Sequence, residues 1–315
     1  MNTLVIGGTG FIGYRLVRRL AAAGHTVTCM DADPAAHSFN DAKDQVTSVR
    51  GDVGSFEDVM SVMATAKAEY VANLAYLIGS HHPPRAAMRV NILGMANCFE
   101  AARLLNVKRV VYAGSFAANG LQANYGERAV KEDDPVNPLD QYGRAKVTNE
   151  WQALDYIEKY GMSITGLRTS YITGRDKVRG SVGHVRCITE PALGHPVTLP
   201  FRDIMQCVLH VDEVADVFAR VLLAEKPAHR IYNTGGTTVS LGEIADIVRS
   251  FIPDASISFE RESGARQGSA TYLLDNRRLT SEFGIRFRPF RDQVSRSSTT
   301  PEVGQGCRSC HSETT

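Results

Sequence analysis

The chain has no apolar run long enough to cross a membrane. It also lacks a charge excess: 35 basic against 34 acidic residues leave a net charge of +1, too little to hold it to nucleic acid or to an anionic lipid surface. Cysteine is sparse, with six residues at positions 29, 98, 187, 207, 307 and 310. Most lie in apolar segments, which fits reduced, buried thiols and a cytoplasmic location rather than a disulfide framework. No basic segment followed by an apolar signal helix opens the chain, so secretion is not expected. Nucleic acid and membrane are therefore set aside as partners. A globular chain of 315 residues, 43% hydrophobic, has room for one large domain or two.

One cysteine cluster is set aside as well. Cys307-Arg308-Ser309-Cys310-His311 has the spacing of a c-type haem attachment. It stands in a polar tail rich in Ser, Thr and Gly, with too little chain after it to build a haem pocket. It reads as disordered tail, and no metal site is expected.

What is present begins at the N-terminus. Leu4-Val5-Ile6 is an apolar strand that runs into Gly7-Gly8-Thr9-Gly10-Phe11-Ile12-Gly13 and then into an amphipathic helix. Gly7 can take a tight turn, Gly10 lets the backbone approach a pyrophosphate, and Gly13 lets helix and strand pack closely. The helix N-terminus suits the phosphate charge. A second strand ends at Asp31, 18 residues after Gly13, near where an acid receives the ribose hydroxyls of a dinucleotide. That carboxylate also repels a 2′-phosphate, and Asp33 adds negative charge, so NAD is expected as cofactor rather than NADP. Asp31 as a mere turn cap is the competing reading.

Apolar strands read at 3–6, 26–30, 46–49, 70–74, 109–113 and 163–168, with helical patterns at 11–23, 55–66, 85–105 and 140–160. This alternation predicts an α/β fold, a doubly wound parallel Rossmann sheet, with its ligand crevice at the carboxyl ends of the strands. Past residue 174 Gly and Pro become frequent, and helical patterns remain at 184–193, 211–224 and 240–251. The expected organisation is a NAD-binding domain over 1–174, its sheet completed by later segments, a smaller C-terminal substrate lobe over 175–290, and a mobile tail over 291–315.

Tyr142 and Lys146 are one helical turn apart and share a face. A tyrosine hydroxyl is a poor base near neutrality, and a nearby ammonium favours its phenolate. Lys146 could supply that charge and also bond the nicotinamide ribose. Tyr142 could then exchange a proton with a substrate hydroxyl as hydride moves. Ser115, at the end of the fifth strand, could hold the substrate oxygen. Arg168 and Thr169, at the end of the sixth, are expected on the same crevice.

Taken together these segments resemble the extended short-chain dehydrogenase/reductases, the NAD-dependent epimerase/dehydratase family, over residues 3 to about 290. The resemblance rests on the glycine turn, Gly51-Asp52-Val53, Asn73-Leu74-Ala75, Val90-Asn91-Ile92-Leu93-Gly94, Val110 to Ser115, Tyr142 to Lys146 and His210 to Ala215. It implies Ser115, Tyr142 and Lys146 as catalytic residues. It implies a cofactor site of Gly7, Gly10, Phe11, Ile12, Gly13, Asp31, Asp52, Val53, Leu74, Ala75, Asn91, Tyr142, Lys146 and Thr169. For Val53 and Ala75 plain core packing is the competing reading. The family also often pairs through helices equivalent to 85–105 and 140–160, so a homodimer is expected.

Two positions depart from the family's nucleotide-sugar members. Tyr171 stands where they usually carry Asn, and Gln206 where they usually carry the Arg that grips a diphosphate. The leading expectation is therefore NAD-dependent oxidation or reduction of a small, non-nucleotide secondary alcohol or ketone. A nucleotide-sugar 4-epimerase or dehydratase is the alternative, and a non-catalytic NAD-binding regulator a second one.

Overall fold

In the computed structural model, residues 1–35, 37, 39–79, 82–264 and 268–298 are described. The first half runs β1 (Asn2–Ile6), α1 (Gly13–Ala22), β2 (Thr26–Asp31), β3 (Val46–Arg50), α2 (Phe56–Thr65), β4 (Tyr70–Asn73), α3 (Pro84–Met88), α4 (Gly94–Leu104), β5 (Arg109–Ser115), α5 (Gln141–Tyr160) and β6 (Ile164–Thr169). The second half runs β7 (Tyr171–Thr173), α6 (Gly183–Ala192), β8 (Val197–Phe201), β9 (Met205–His210), α7 (Val211–Leu223), β10 (Ile231–Asn233), β11 (Thr237–Ser240), α8 (Leu241–Phe251), β12 (Ile257–Arg261), α9 (Arg277–Phe283) and α10 (Phe290–Ser298).

Seven parallel strands form the central sheet in the order β10-β6-β5-β4-β1-β2-β3. The doubly wound fold expected from the sequence is present. The strand order reverses between β1 and β4, which opens a crevice at their carboxyl ends. Alternation along each strand feeds both faces. Leu4 and Ile6 join α2 and α4 residues such as Val59, Met63 and Phe99 on one face. Val5 joins Leu16, Val17 and Leu20 of α1 and Val214, Phe218 and Val221 of α7 on the other. Helix α7 thus coats the central sheet.

Where one helix was expected over 85–105, the chain forms α3, a π-helical turn at Arg89–Leu93, and α4. The wider turn carries Asn91 inward, where its amide bonds both backbone groups of Leu77. The smaller lobe holds more strand than its sequence suggested: a three-stranded sheet β11-β9-β7 and a two-stranded sheet β12-β8. Strands of three to six residues interrupted by Gly and Pro give too short a pattern to read. The tail expected to be mobile from 291 begins instead with α10. Phe290 and Val294, four apart, bury themselves in the lobe's core with Ile188 and Val248. The Cys307–His311 cluster lies outside the described residues. Among those described, no helix is long and apolar enough to cross a membrane.

Candidate active site

The glycine turn between β1 and α1 is built as its spacing implies. Gly7 has φ +77° and donates its N–H to Met30 O at 2.8 Å. A Cβ there would lie 2.7 Å from the backbone nitrogen of Ala75. A Cβ on Gly13 would fall against the carbonyl of Gly7, well inside contact distance. Helix α1 starts at Ile12 with no side-chain cap and no acid in its first turn. Its uncapped N–H groups and positive dipole end therefore suit a pyrophosphate, so these residues fit a dinucleotide. Gly10 closes the turn by donating to Gly7 O. Phe11 lies under the Arg15 guanidinium, 4.9 Å from ring centroid to Cζ, and Ile12 packs on the core beneath.

Asp31 ends β2 facing this turn. One carboxylate oxygen accepts from Thr9 N at 3.1 Å and the other from Asp33 N at 3.2 Å. The acid is thus held beside the phosphate turn with lone pairs to spare. Asp52 caps Gly54 N at 2.8 Å and pairs with Arg89 at 2.6 Å. Val53 is buried among Met30, Met63 and Met95, so its side chain is core. Leu74 and Ala75 bring backbone to the glycine turn: Leu74 N donates to Ile6 O, and Ala75 N to the Asn73 side chain. Asn91 bonds both backbone groups of Leu77 through its amide and so fixes the segment after β4.

Helix α5 is set by its ends. Asp140 caps Gly143 N at 2.8 Å, and Gly161 closes the helix at φ +66°. This rigid element presents Tyr142 and Lys146 to the end of β5. Lys146 is 2% exposed and donates from Nζ to Ala113 O at 2.6 Å. Burial pulls its pKa down to about 7, with Glu150 opposing the shift. Tyr142 is pushed up by burial, while a hydrogen bond with Ser115 pulls it back. Its ring centroid lies 5.4 Å from Lys146 Nζ. Ser115 is 3% exposed and also caps Ala117 N. The three residues named from the sequence come together. A hydroxyl entering this corner would meet a tyrosine, a serine and a cation.

Thr169 reaches the same strand ends, donating to Gly114 O. Arg168 does not. As its neighbour on a strand it points the other way, into a buried pair with Glu150 at 2.7 and 2.8 Å. Sequence reasoning placed Tyr76 at the end of the fourth strand but assigned it no role. It directly follows Leu74-Ala75 and sets its ring 3.3 Å from Lys146 Nζ and edge-on to Tyr142 at 5.4 Å. An aromatic residue right after a strand-end motif was the available signal. On the lobe side, Tyr171 packs on Phe116 and on His184, with ring centroids at 4.7 and 5.5 Å. The His184 Nε2 donates to Ile172 O at 3.0 Å, since a carbonyl only accepts. Its Nδ1 is therefore a bare acceptor, buried and without a partner. Gln206 is 6% exposed, and its Oε1 is likewise unpartnered.

Comparison with known proteins agrees with this geometry. A UDP-glucose 4-epimerase from Mycolicibacterium smegmatis is 31% identical over 230 residues, covering 70% of this chain and 72% of that protein. The NAD complex of a Thermus thermophilus UDP-glucose 4-epimerase superposes with a TM-score of 0.81 at 26% identity, over 95% of this chain and 98% of that one. A GalE-like L-threonine dehydrogenase from Cupriavidus necator shares the fold, with a TM-score of 0.82 at 20% identity over 94% and 98%. The model of the NAD dependent epimerase/dehydratase family matches residues 3–235, and the chain belongs to that family.

Proposed function

We propose that the chain moves a hydride between NAD and the secondary alcohol carbon of a nucleotide sugar, in the manner of a 4-epimerase. The observation that carries the chemistry is the meeting of Tyr142 with the buried Ser115 and Lys146 at the end of β5, in a chain whose glycine turn fits a dinucleotide. The identity to UDP-glucose 4-epimerase supports the substrate class.

NAD, when bound, would supply the hydride acceptor. The uncapped start of α1 would hold its pyrophosphate, and Asp31 would receive its adenosine ribose hydroxyls. Ser115 holds the substrate oxygen, and Tyr142 withdraws its proton. Because burial raises the pKa of Tyr142, the withdrawal depends on the Lys146 cation to stabilise the phenolate. Hydride return to the opposite face of the ketone, with Tyr142 giving the proton back, completes an epimerisation.

A second reading, net dehydrogenation of a small non-nucleotide alcohol, is favoured by one observation. Gln206 is buried with its Oε1 unpartnered, at the place where nucleotide-sugar members are expected to carry an arginine. The NAD-loaded chain given UDP-glucose separates the two. The first reading predicts UDP-galactose by NMR without net NADH. The second predicts no conversion and no micromolar UDP binding, with NADH release from a sugar acid, hydroxy acid or aryl alcohol.

A homodimer through α4 and α5 is part of the proposal. Trp151 is 65% exposed on α5, and Leu93 and Leu104 are 50% and 45% exposed at the two ends of α4, large apolar groups suited to burial against a second copy. Light scattering should give twice the monomer mass, and Trp151→Glu should halve it.

A further inference from the structure

We propose that Tyr76 is a positioning residue for the reaction, its ring face holding the Lys146 cation in place for Tyr142. The inference rests on the reading that Tyr142 and Lys146 carry the hydride-transfer chemistry. Lys146 Nζ sits 3.3 Å from the Tyr76 ring centroid, and the same ring forms a T-shaped pair with Tyr142, with centroids 5.4 Å apart. The ring thus spans both side chains. A cation over an aromatic face is attracted by the ring quadrupole, most strongly where water is excluded, and Lys146 is 2% exposed.

The other groups around the amine leave this task to the ring. From β5, Ala113 O accepts one hydrogen bond, a contact that a neutral amine could also make. On α5, Glu150 favours the cation but is held by Arg168 of β6 through two bonds. Tyr142 is bonded to Ser115 and is kept neutral by burial and by Asp140. Burial, opposed by Glu150, leaves the Lys146 pKa at about 7, so a modest stabilisation of the charged form decides how much cation is present near neutrality.

The Tyr76 hydroxyl is directed to the Asn149 amide, and both groups are shut off from water. Tyr76 therefore acts through its ring, and the phenylalanine variant should replace it.

The test is a titration of Lys146 in the ligand-free chain, by carbon-13 NMR of labelled lysine, beside pH profiles of turnover. Tyr76→Leu should lower the Lys146 midpoint by about one pH unit, while Tyr76→Phe leaves it in place. Turnover by Tyr76→Leu should match wild type at low pH and fall behind as pH rises, reaching a roughly tenfold deficit above the wild-type midpoint. A purely structural lesion would lower activity equally at all pH. If Tyr76→Leu fails to fold, trifluorophenylalanine at position 76 keeps the ring's shape, removes its negative face and should give the same shift. An unmoved midpoint in the leucine or fluorinated variant overturns the proposal, as does a phenylalanine variant as defective as leucine. Should Tyr142→Phe retain activity, the hydride-transfer reading fails, and the NMR midpoints still report on Tyr76 independently.

Discussion

The two sides of the crevice treat their polar atoms differently. On the β1–β2 side, Gly7 N donates to Met30 O, Gly10 N to Gly7 O, and Thr9 N and Asp33 N to the two oxygens of Asp31, so the turn is held by its own hydrogen bonds. On the lobe side, His184 Nδ1, Thr173 Oγ1 and Gln206 Oε1 are buried with no partner. A buried acceptor without a donor costs about 1–3 kcal/mol, so such groups are retained where a ligand or ordered water completes them. The cofactor turn is thus a socket held by its own hydrogen bonds, while the lobe side keeps these three polar atoms buried and unmatched.

The largest effect should come from the residue between the two sides. Tyr142→Phe removes the proton carrier and should lower kcat by roughly 100- to 10,000-fold, with NAD affinity unchanged by calorimetry. Comparable loss of NAD binding would mean that Tyr142 belongs to the socket instead. The socket itself should break at Gly7→Val. The left-handed φ of +77° and the approach of Ala75 leave no room for a side chain. With strain on the order of 1–3 kcal/mol, NAD affinity should fall by up to roughly a hundredfold.

On the lobe side the sharper probe is pH. Burial lowers the His184 pKa from 6.5 to about 3, so the imidazole folds neutral. Its stabilising contribution is intact above pH 6.5 and is lost as pH falls toward 3, because the unfolded chain takes up the proton first. Urea unfolding of wild type should thus lose about 1.4 kcal/mol per pH unit in this window relative to His184→Gln. Equal slopes would show that His184 is hydrated. The smallest effect returns to the socket: Asp31→Ala should relax the preference for NAD over NADP by about tenfold, and an unchanged ratio would place ribose recognition elsewhere.

How much was legible in the sequence follows the same divide. The socket is made by local chemistry: glycines at fixed spacing, an acid at a strand end, a Tyr and a Lys one turn apart. Such patterns are contiguous and can be read directly. Ser115 was legible because strand ends converge on one crevice. Arg168 was misplaced because adjacent strand residues point to opposite faces, and the pairing that decides which face, with Glu150, is a long-range contact. Tyr76 was assigned no role because its partner Lys146 is 70 residues away. The short strands β7, β9 and β11 were missed because their pairing, rather than their pattern, makes them strands. The helix expected over 85–105 broke at the π turn because of the Asn91–Leu77 bonds, which no periodicity reveals.

Hydride transfer at the corner formed by Ser115, Tyr142 and Lys146 can be followed by NADH absorbance in a single turnover with excess NAD-loaded enzyme and UDP-glucose. Wild type should give a transient, enzyme-bound NADH signal that is absent in Tyr142→Phe. A signal of equal rate and amplitude in both proteins would contradict this reading.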